Sequence, residues 1–134
     1  MIVFNYAILS AMLVWQEEFV MTECLFCKMV NGEIEPATVY EDDDVLAFRD
    51  IAPQAPFHAL VIPRVHIASL NEMDEQHFDI IGKMFIAAKR IASREGFADA
   101  GFRTVMNCGE QGGQTVFHLH LHVLGGRAMR WPPG

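Results

Sequence analysis

Basic residues are scarce in this chain, and their scarcity excludes a large class of partners. Ten lysines and arginines stand against seventeen aspartates and glutamates, which gives a formal net charge of −7. A protein that binds nucleic acid through its phosphates needs a basic surface. The composition therefore argues against a nucleic-acid partner, and any phosphate site must depend on local donors.

Cysteines are few and apolar runs are short. Three cysteines give no paired disulfide framework, which indicates a reducing compartment, and we predict a cytoplasmic protein. The apolar run 1–15 is too short to span a bilayer comfortably, and no basic residues precede it as in a signal peptide. A membrane partner is therefore not predicted, and anchoring by this run is the minor alternative.

The length of 134 residues suits one domain with a substantial core and is too short for two. Met21 begins a sequence typical of a natural start. We therefore interpret residues 1–20 as an N-terminal extension of unknown role, from an upstream or misassigned start, and residues 21–134 as the domain.

Hydrophobic periodicity predicts an α+β domain with an antiparallel sheet. A short helix is expected over residues 24–31 and a long one from Asp74 to Gly96. The long helix carries an apolar stripe expected to face the core: Phe78, Ile81, Met84, Phe85, Ala88 and Ile91. Strands are predicted over residues 38–41, 45–49, 59–62, 102–106 and 117–124.

The last of these strands is the most informative segment. Residues 117–124 read FHLHLHVL, an alternation with the period of two that a half-buried strand has. Leu119, Leu121 and Val123 are expected to face the core. His118, His120 and His122 then share the opposite face, where three imidazoles offer chemistry near neutral pH.

A glycine-rich segment, residues 107–115, leads into the histidines. Glycines let backbone N–H groups turn toward an anion, although a tight turn between strands is the simpler explanation when such a segment stands alone. Placed directly before three histidines, it indicates a phosphate loop beside a nucleophile or a metal site. The pair Cys24 and Cys27 has metal-ligand spacing, with two buried free thiols as the alternative.

Residues 112–122 (GGQTVFHLHLH) resemble the signature of the histidine triad (HIT) superfamily. Residues 50–56, 59–63 and 125–134 resemble its Hint branch, so the resemblance extends from about residue 23 to residue 134. It implies a HIT-like five-stranded antiparallel sheet with one long and one short helix. It also implies a homodimer with two-fold symmetry in which two such sheets become continuous.

The resemblance implies roles for individual residues. His120 would be the nucleophile and His122 would bind the α-phosphate. Thr115 stands where many relatives carry serine, and its hydroxyl would contact the phosphate or the leaving group as a further catalytic residue. His58 would pass a proton to a departing amine, with a surface loop histidine as the alternative. The nucleotide-binding residues implied are Phe26, Phe48, Asp50, Ile51, Asn107, Gly113, Gln114, Thr115, His120 and His122. Cys24, Cys27, His66 and His118 would hold a structural zinc ion.

The predicted function is hydrolysis or transfer at the α-phosphate of purine nucleoside phosphoramidates or acyl-adenylates through a nucleotidyl-histidine intermediate. The predicted partner is a purine nucleotide such as AMP, GMP or an aminoacyl-adenylate. Dinucleoside polyphosphate hydrolysis and a nucleotide-binding adaptor with little turnover are the alternatives. A catalytic metal on the histidines is disfavoured, because a metal bound to His120 would quench its nucleophilicity.

Overall fold

The computed structural model describes residues 23–134. The helices are α1 (Leu25–Val30) and α2 (Phe78–Glu95), and the strands are β1 (Thr38–Glu41), β2 (Val45–Arg49), β3 (Phe57–Pro63), β4 (Arg103–Val105) and β5 (Leu121–Gly125). Two short 3-10 turns precede α2. The predicted extension, residues 1–20, lies outside the described residues. Within residues 23–134, no helix has the length and apolar character needed to cross a membrane.

All five strands form one antiparallel sheet in the order β1-β2-β3-β5-β4. The predicted α+β fold is therefore confirmed. The turn between β1 and β2 is built by Asp42, whose carboxylate accepts hydrogen bonds from the N–H groups of Asp44 and Val45, both at 2.9 Å.

Both faces of the sheet are covered, which explains why β3 is buried along its entire length. On one face, α2 packs against the apolar side chains of β3 and β5. On the other face, Phe26 of α1 joins Leu46, Phe48, Leu60 and Ile62 in a smaller cluster. His58 lies on β3 and His122 on β5, two neighbouring inner strands of the sheet.

The histidine strand is shorter than predicted. It begins at Leu121 rather than at residue 117, so His118 and His120 lie in an irregular segment before it. The ladder between β3 and β5 ends at the Val61–Leu121 pair, and Leu119 instead donates its N–H to the carbonyl of Ile67. The predicted facing is nevertheless right, since Leu119, Leu121 and Val123 are all buried in the core under α2.

The core-facing stripe of α2 also differs from prediction. Its fully buried members are Met84, Ala87, Ala88, Ile91 and Ala92, whereas Phe78 is 72% and Phe85 is 46% exposed. The helix begins at Phe78 because a 3-10 turn capped by Asp74 comes first. Three of the five buried residues are alanines, whereas the larger aromatic side chains of Phe78 and Phe85 lie at the flank of the helix.

Candidate active site and metal cluster

His58 lies within β3 and is 5% exposed, so the alternative of a surface loop histidine is wrong. β3 extends from Phe57 to Pro63, beyond the predicted residues 59–62, and this brings His58 beside β5. Its Nε2 atom lies 2.9 Å from Nδ1 of His122 and 3.4 Å from Oδ2 of Asp50. The structure thus brings together three of the predicted site residues.

The hydrogen bonds fix the proton positions of this pair. The backbone N–H of Gln54 donates to Nδ1 of His58 at 3.0 Å, so neutral His58 carries its proton on Nε2. The Nε2–H of His58 is in range to donate to Nδ1 of His122. His122 then carries its own proton on Nε2, and the two imidazoles form a directed chain of donors.

Burial keeps both rings uncharged. Burial lowers the pKa of His58, and the nearby Asp50 carboxylate only partly opposes this effect. Burial, together with the neighbouring His120 and His58 rings, lowers the pKa of His122 to about 4. The chain of donors is therefore intact at neutral pH.

His120 is prepared differently. Its Nδ1 atom lies 2.7 Å from the carbonyl oxygen of His118, and because a carbonyl can only accept, this nitrogen carries the proton. The lone pair is consequently on Nε2. The edge of the Phe26 ring packs against His120 with the centroids 5.4 Å apart, which holds the imidazole in place. A neutral imidazole with one nitrogen held in this way is suited to act as a nucleophile.

Some of the residues predicted to contact the nucleotide are buried in the core, and others are exposed. Phe26 and Phe48 are buried in the cluster on the α1 side of the sheet and pack edge to face at 5.4 Å. Asp50 follows β2 and accepts the N–H of Ala52 at 2.8 Å. Ile51 is fully exposed. Ile51 and the neighbouring Asp50 carboxylate are therefore accessible to a ligand, whereas the side chains of Phe26 and Phe48 pack in the core.

The glycine-rich loop is closed by Gln114. Its side-chain oxygen accepts the N–H of Gly109, and its amide group donates to the carbonyls of Ala68 and Val116. The side chain of Gln114 is therefore occupied within the protein. Gly113 has a φ of +83°, a conformation that favours glycine. Asn107 is half-buried and Thr115 is exposed at the two ends of the loop.

Four side chains form a second cluster beside the first. Cys24, Cys27, His66 and His118 each offer one ligand atom, and these atoms lie within 4.8 Å of one another. The Nδ1 atoms of His66 and His118 are 3.2 Å apart. The sulfur-to-Nδ1 distances from Cys27 are 3.3 Å to His66 and 3.6 Å to His118. The edges of a tetrahedral site with zinc bonds of this kind are about 3.3 to 3.8 Å, so the residues fit the ion.

His118 presents a lone pair to this cluster, whereas the Cys27 thiol must lose its proton to bind a cation. His118 donates from Nε2 to the carbonyl of Pro63 at 2.8 Å, which leaves the lone pair of Nδ1 facing the cysteines. Burial lowers the pKa of His118 to about 4, so the ring is a neutral ligand. Burial also raises the pKa of the Cys27 thiol to about 12, helped by the adjacent Cys24. A bound cation would reverse this effect on the thiol.

Asp50, His58 and His122 also have ligand atoms within 4.8 Å of one another. A metal ion there would need a lone pair on Nε2 of His58, but the N–H of Gln54 places the proton on that atom. This group is accordingly better suited to moving protons than to binding a metal.

Sequence reasoning missed three backbone groups that control these histidines: the N–H of Gln54 and the carbonyls of Pro63 and His118. Every residue has such groups, so side-chain identity gives no signal for them. Only the folded geometry identifies the ones that matter.

A five-stranded antiparallel sheet with histidines on two neighbouring inner strands, beside a two-cysteine, two-histidine cluster, defines an α+β protein with a histidine-based site. The HIT domain family matches residues 31–129, and the chain belongs to this family. The resemblance expected from the sequence is confirmed.

Several relatives match most of the chain. The 14 kDa zinc-binding protein of Brassica juncea is 50% identical over 84% of this chain and 100% of its own length. The adenylylsulfatase HINT1 of Arabidopsis thaliana is 50% identical over 82% of this chain and 76% of its own length. The purine nucleoside phosphoramidase of Escherichia coli strain K12 is 46% identical, covering 80% and 90% respectively.

Among solved structures, a HIT family hydrolase from Legionella pneumophila superimposes with a TM-score of 0.81 at 50% identity, covering 83% of this chain and 99% of that one. With the enzyme names that the curated relatives carry, this match confirms the prediction of an enzyme, a hydrolase similar to purine nucleoside phosphoramidase.

Proposed function

We propose that the protein cleaves purine nucleoside phosphoramidates or acyl-adenylates at the α-phosphate through a nucleotidyl intermediate on His120. The observation that carries the proposal is the 2.7 Å hydrogen bond from Nδ1 of His120 to the His118 carbonyl, which leaves the Nε2 lone pair for attack. In the first step this nitrogen forms a bond to phosphorus while the bond from phosphorus to the leaving group breaks.

The leaving group of a phosphoramidate needs a proton, because an amide anion leaves very poorly. We assign its delivery to the Nε2–H of His122. The pair of histidines first takes up one proton from solvent, which the anionic phosphate of the substrate favours, and transfer of the His122 proton to the amine returns both rings to their neutral form. The carboxylate of Asp50, 3.4 Å from Nε2 of His58, stabilises the positive charge that passes along the pair.

In the second step, water attacks the phosphorus of the nucleotidyl-histidine. The bond from phosphorus to Nε2 of His120 breaks, the water loses a proton to the pair of histidines, and the nucleoside monophosphate leaves. In this proposal Asn107, Gly113 and Thr115 contact the phosphate groups. Asp50 and Ile51 contact the ribose and base, with Phe26 and Phe48 behind them.

We further propose that Cys24, Cys27, His66 and His118 hold a zinc ion. With four protein ligands and no open position, its contribution would be to stability, by tying α1 to the segment before β5. The fit of the distances and the name of the Brassica juncea relative support this assignment. None of the chemical steps depends on the ion.

The test is a comparison of substrates. Purified protein should release AMP from adenosine phosphoramidate much faster than from diadenosine polyphosphates. A faster rate with the polyphosphates would favour the alternative hydrolase, and AMP binding without turnover of either would favour an adaptor. Adenylyl sulfate belongs in the same panel, since one relative is named for that reaction.

A further inference from the structure

Arg127 is a charged residue outside the histidine cluster. It contacts the loop between β2 and β3, and the Gln54 N–H of this loop donates to His58. It follows β5, and its side chain is held close to the backbone of Gln54, which lies between β2 and β3. Nε and Nη2 of Arg127 donate to the Gln54 carbonyl at 3.2 and 2.9 Å. A guanidinium group that donates twice to one oxygen fixes the position of that oxygen much better than one donor can.

The approach of the two segments is built into the backbone. Gly126 has a φ of +91°, and a Cβ atom there would lie 2.9 Å from Cβ of Pro56. Any side chain at residue 126 would push the loop away. The remaining guanidinium nitrogen, Nη1, donates to the carbonyl of Ala128 at 3.1 Å, so the arginine is anchored at its own end as well.

Gln54 is therefore held from two sides. Its carbonyl is bound by Arg127, and its N–H donates to Nδ1 of His58. The side-chain amide of Gln54 also closes the loop by donating to the carbonyl of Ala52. A shift of the Gln54 backbone would remove the only hydrogen bond to Nδ1 of His58 among the described residues. The proton of His58 would then be free to move to that atom.

We infer that Arg127 is a positioning residue: by holding the Gln54 carbonyl, it keeps the proton of His58 on Nε2, where it is directed at His122. The inference concerns the same reaction as the proposed function and rests on it for its kinetic consequence. If His58 adopts the other tautomer, its Nε2 accepts instead of donating, so the single proton of neutral His122 moves to Nδ1 and its Nε2 has no proton directed at the leaving group. Reactions with poor leaving groups should suffer most.

The experiment compares Arg127→Gln with Arg94→Gln as a matched control. Arg94 also donates to a backbone carbonyl, that of Val39 at 3.2 Å, but it lies on α2 and contacts β1, away from the histidines. Two substrates are used: adenosine phosphoramidate, whose amine needs a proton, and the p-nitrophenyl ester of AMP, whose phenolate does not.

Arg127→Gln should lower turnover of the phosphoramidate by about tenfold or more while changing that of the aryl ester by less than about twofold. Arg94→Gln should change neither. Arg127→Lys, which keeps the charge but donates from a single point, should recover part of the loss. Equal losses on both substrates would mean that Arg127 only supports the fold, and would overturn the inference.

A second readout does not depend on activity. The ring ¹⁵N signals of His58 should report protonation at Nε2 in the wild type and in Arg94→Gln, and a mixture of tautomers in Arg127→Gln. Unchanged His58 signals in Arg127→Gln would also overturn the inference. If the wild type turns over neither substrate, the proposed function fails, while these signals still decide whether Arg127 positions His58.

Discussion

His118 and His120 are separated by one residue, yet their protons are on opposite ring nitrogens. His118 donates from Nε2 to Pro63, and His120 donates from Nδ1 to the carbonyl of His118. The first ring therefore presents Nδ1 to the cysteines, and the second keeps a free lone pair on Nε2. Two identical side chains are given separate tasks by their backbone acceptors.

His120→Ala should abolish hydrolysis of adenosine phosphoramidate. Loss of the nucleophile removes the covalent step, so the rate should fall at least about a thousandfold, or about 4 kcal/mol of barrier, while AMP affinity stays within about tenfold. Turnover and AMP binding by calorimetry are the measurements, and His77→Ala, in the 3-10 turn before α2, is the control. Residual activity above about a tenth of wild type would contradict a nucleophilic His120.

The low pKa of His122 predicts a loss of stability in acid. The ordinary value for histidine is 6.5, and the folded value is about 4. Below pH 6.5 His122 becomes protonated in the unfolded chain but stays neutral in the folded protein. The contribution of His122 to the free energy of unfolding is therefore complete above pH 6.5 and is lost as the pH falls toward 4. Thermal melts across this range should show a shallower decline for His122→Gln than for wild type. A decline of equal slope in both proteins would refute the assignment.

At the scale of residues, the sequence predicted which side chains converge, and it could not predict how they are protonated. The spacing of His118, His120 and His122 indicated a shared site, and the structure places His58 beside it. The proton positions depend on backbone groups of distant residues such as Gln54 and Pro63. No pattern of residue types encodes these contacts.

At the scale of elements, the errors have two physical causes. The alternation in residues 117–124 predicted facing correctly, but a strand also needs a partner, and pairing with β3 ends at Leu121. In α2, apolar spacing alone did not separate the alanines that pack against the sheet from the phenylalanines at the flank. Pattern identifies a face, whereas packing decides which of its residues are buried.

The helix α1 is six residues long, too short to be stable alone. Its N-cap is Cys24, whose sulfur accepts the N–H of Cys27 at 3.4 Å. If zinc binds here, Cys24→Ser should remove it and lower the melting temperature by about 10 °C, with little change in turnover per folded molecule. Cys108→Ser is the control, since Cys108 lies outside the cluster.

Elemental analysis of protein purified without chelator supplies the other half of this test. We expect about one zinc ion per chain in the wild type and in Cys108→Ser, and much less in Cys24→Ser. Protein free of zinc, with an unchanged melting temperature in Cys24→Ser, would leave the cluster as two buried thiols and two histidines.

At the scale of the whole molecule, the two edges of the sheet are unequal. β1 is one edge, and the side chains of Arg90 and Arg94 from α2 donate to Tyr40 and to the Val39 carbonyl there. β4 is the other edge, and it pairs only with β5 among the described strands. If two copies form the predicted continuous sheet, β4 is the edge that remains open to a partner.

A matched pair of threonine substitutions tests this choice of edge. Thr104 lies in β4 and Thr38 in β1. A two-fold axis beside β4 would bring the two copies of residue 104 together, so Thr104→Glu should place like charges near each other and favour the monomer. Light scattering at micromolar concentration should give about twice the 15.1 kDa chain mass for wild type and Thr38→Glu, and a single chain for Thr104→Glu. A monomeric wild type would refute the dimer, and dissociation by Thr38→Glu alone would move the interface to β1.

The C-terminal tail gives the last prediction. Trp131 is 83% exposed and is followed by two prolines. The prolines stiffen the chain, so the exposed tryptophan is an aromatic anchor suited to docking. The segment before it is held in place, because Arg103 donates to the carbonyl of Arg130 at 2.7 Å and itself belongs to β4. An anchor presented from the edge that we assign to the dimer would reach the neighbouring subunit.

Deleting residues 131–134 should therefore change the ranking of leaving groups more than it changes the affinity for AMP. The ranking is measured as relative kcat/KM over a panel of phosphoramidates. An unchanged ranking in a truncated protein that still dimerises would show that the tail takes no part in substrate choice.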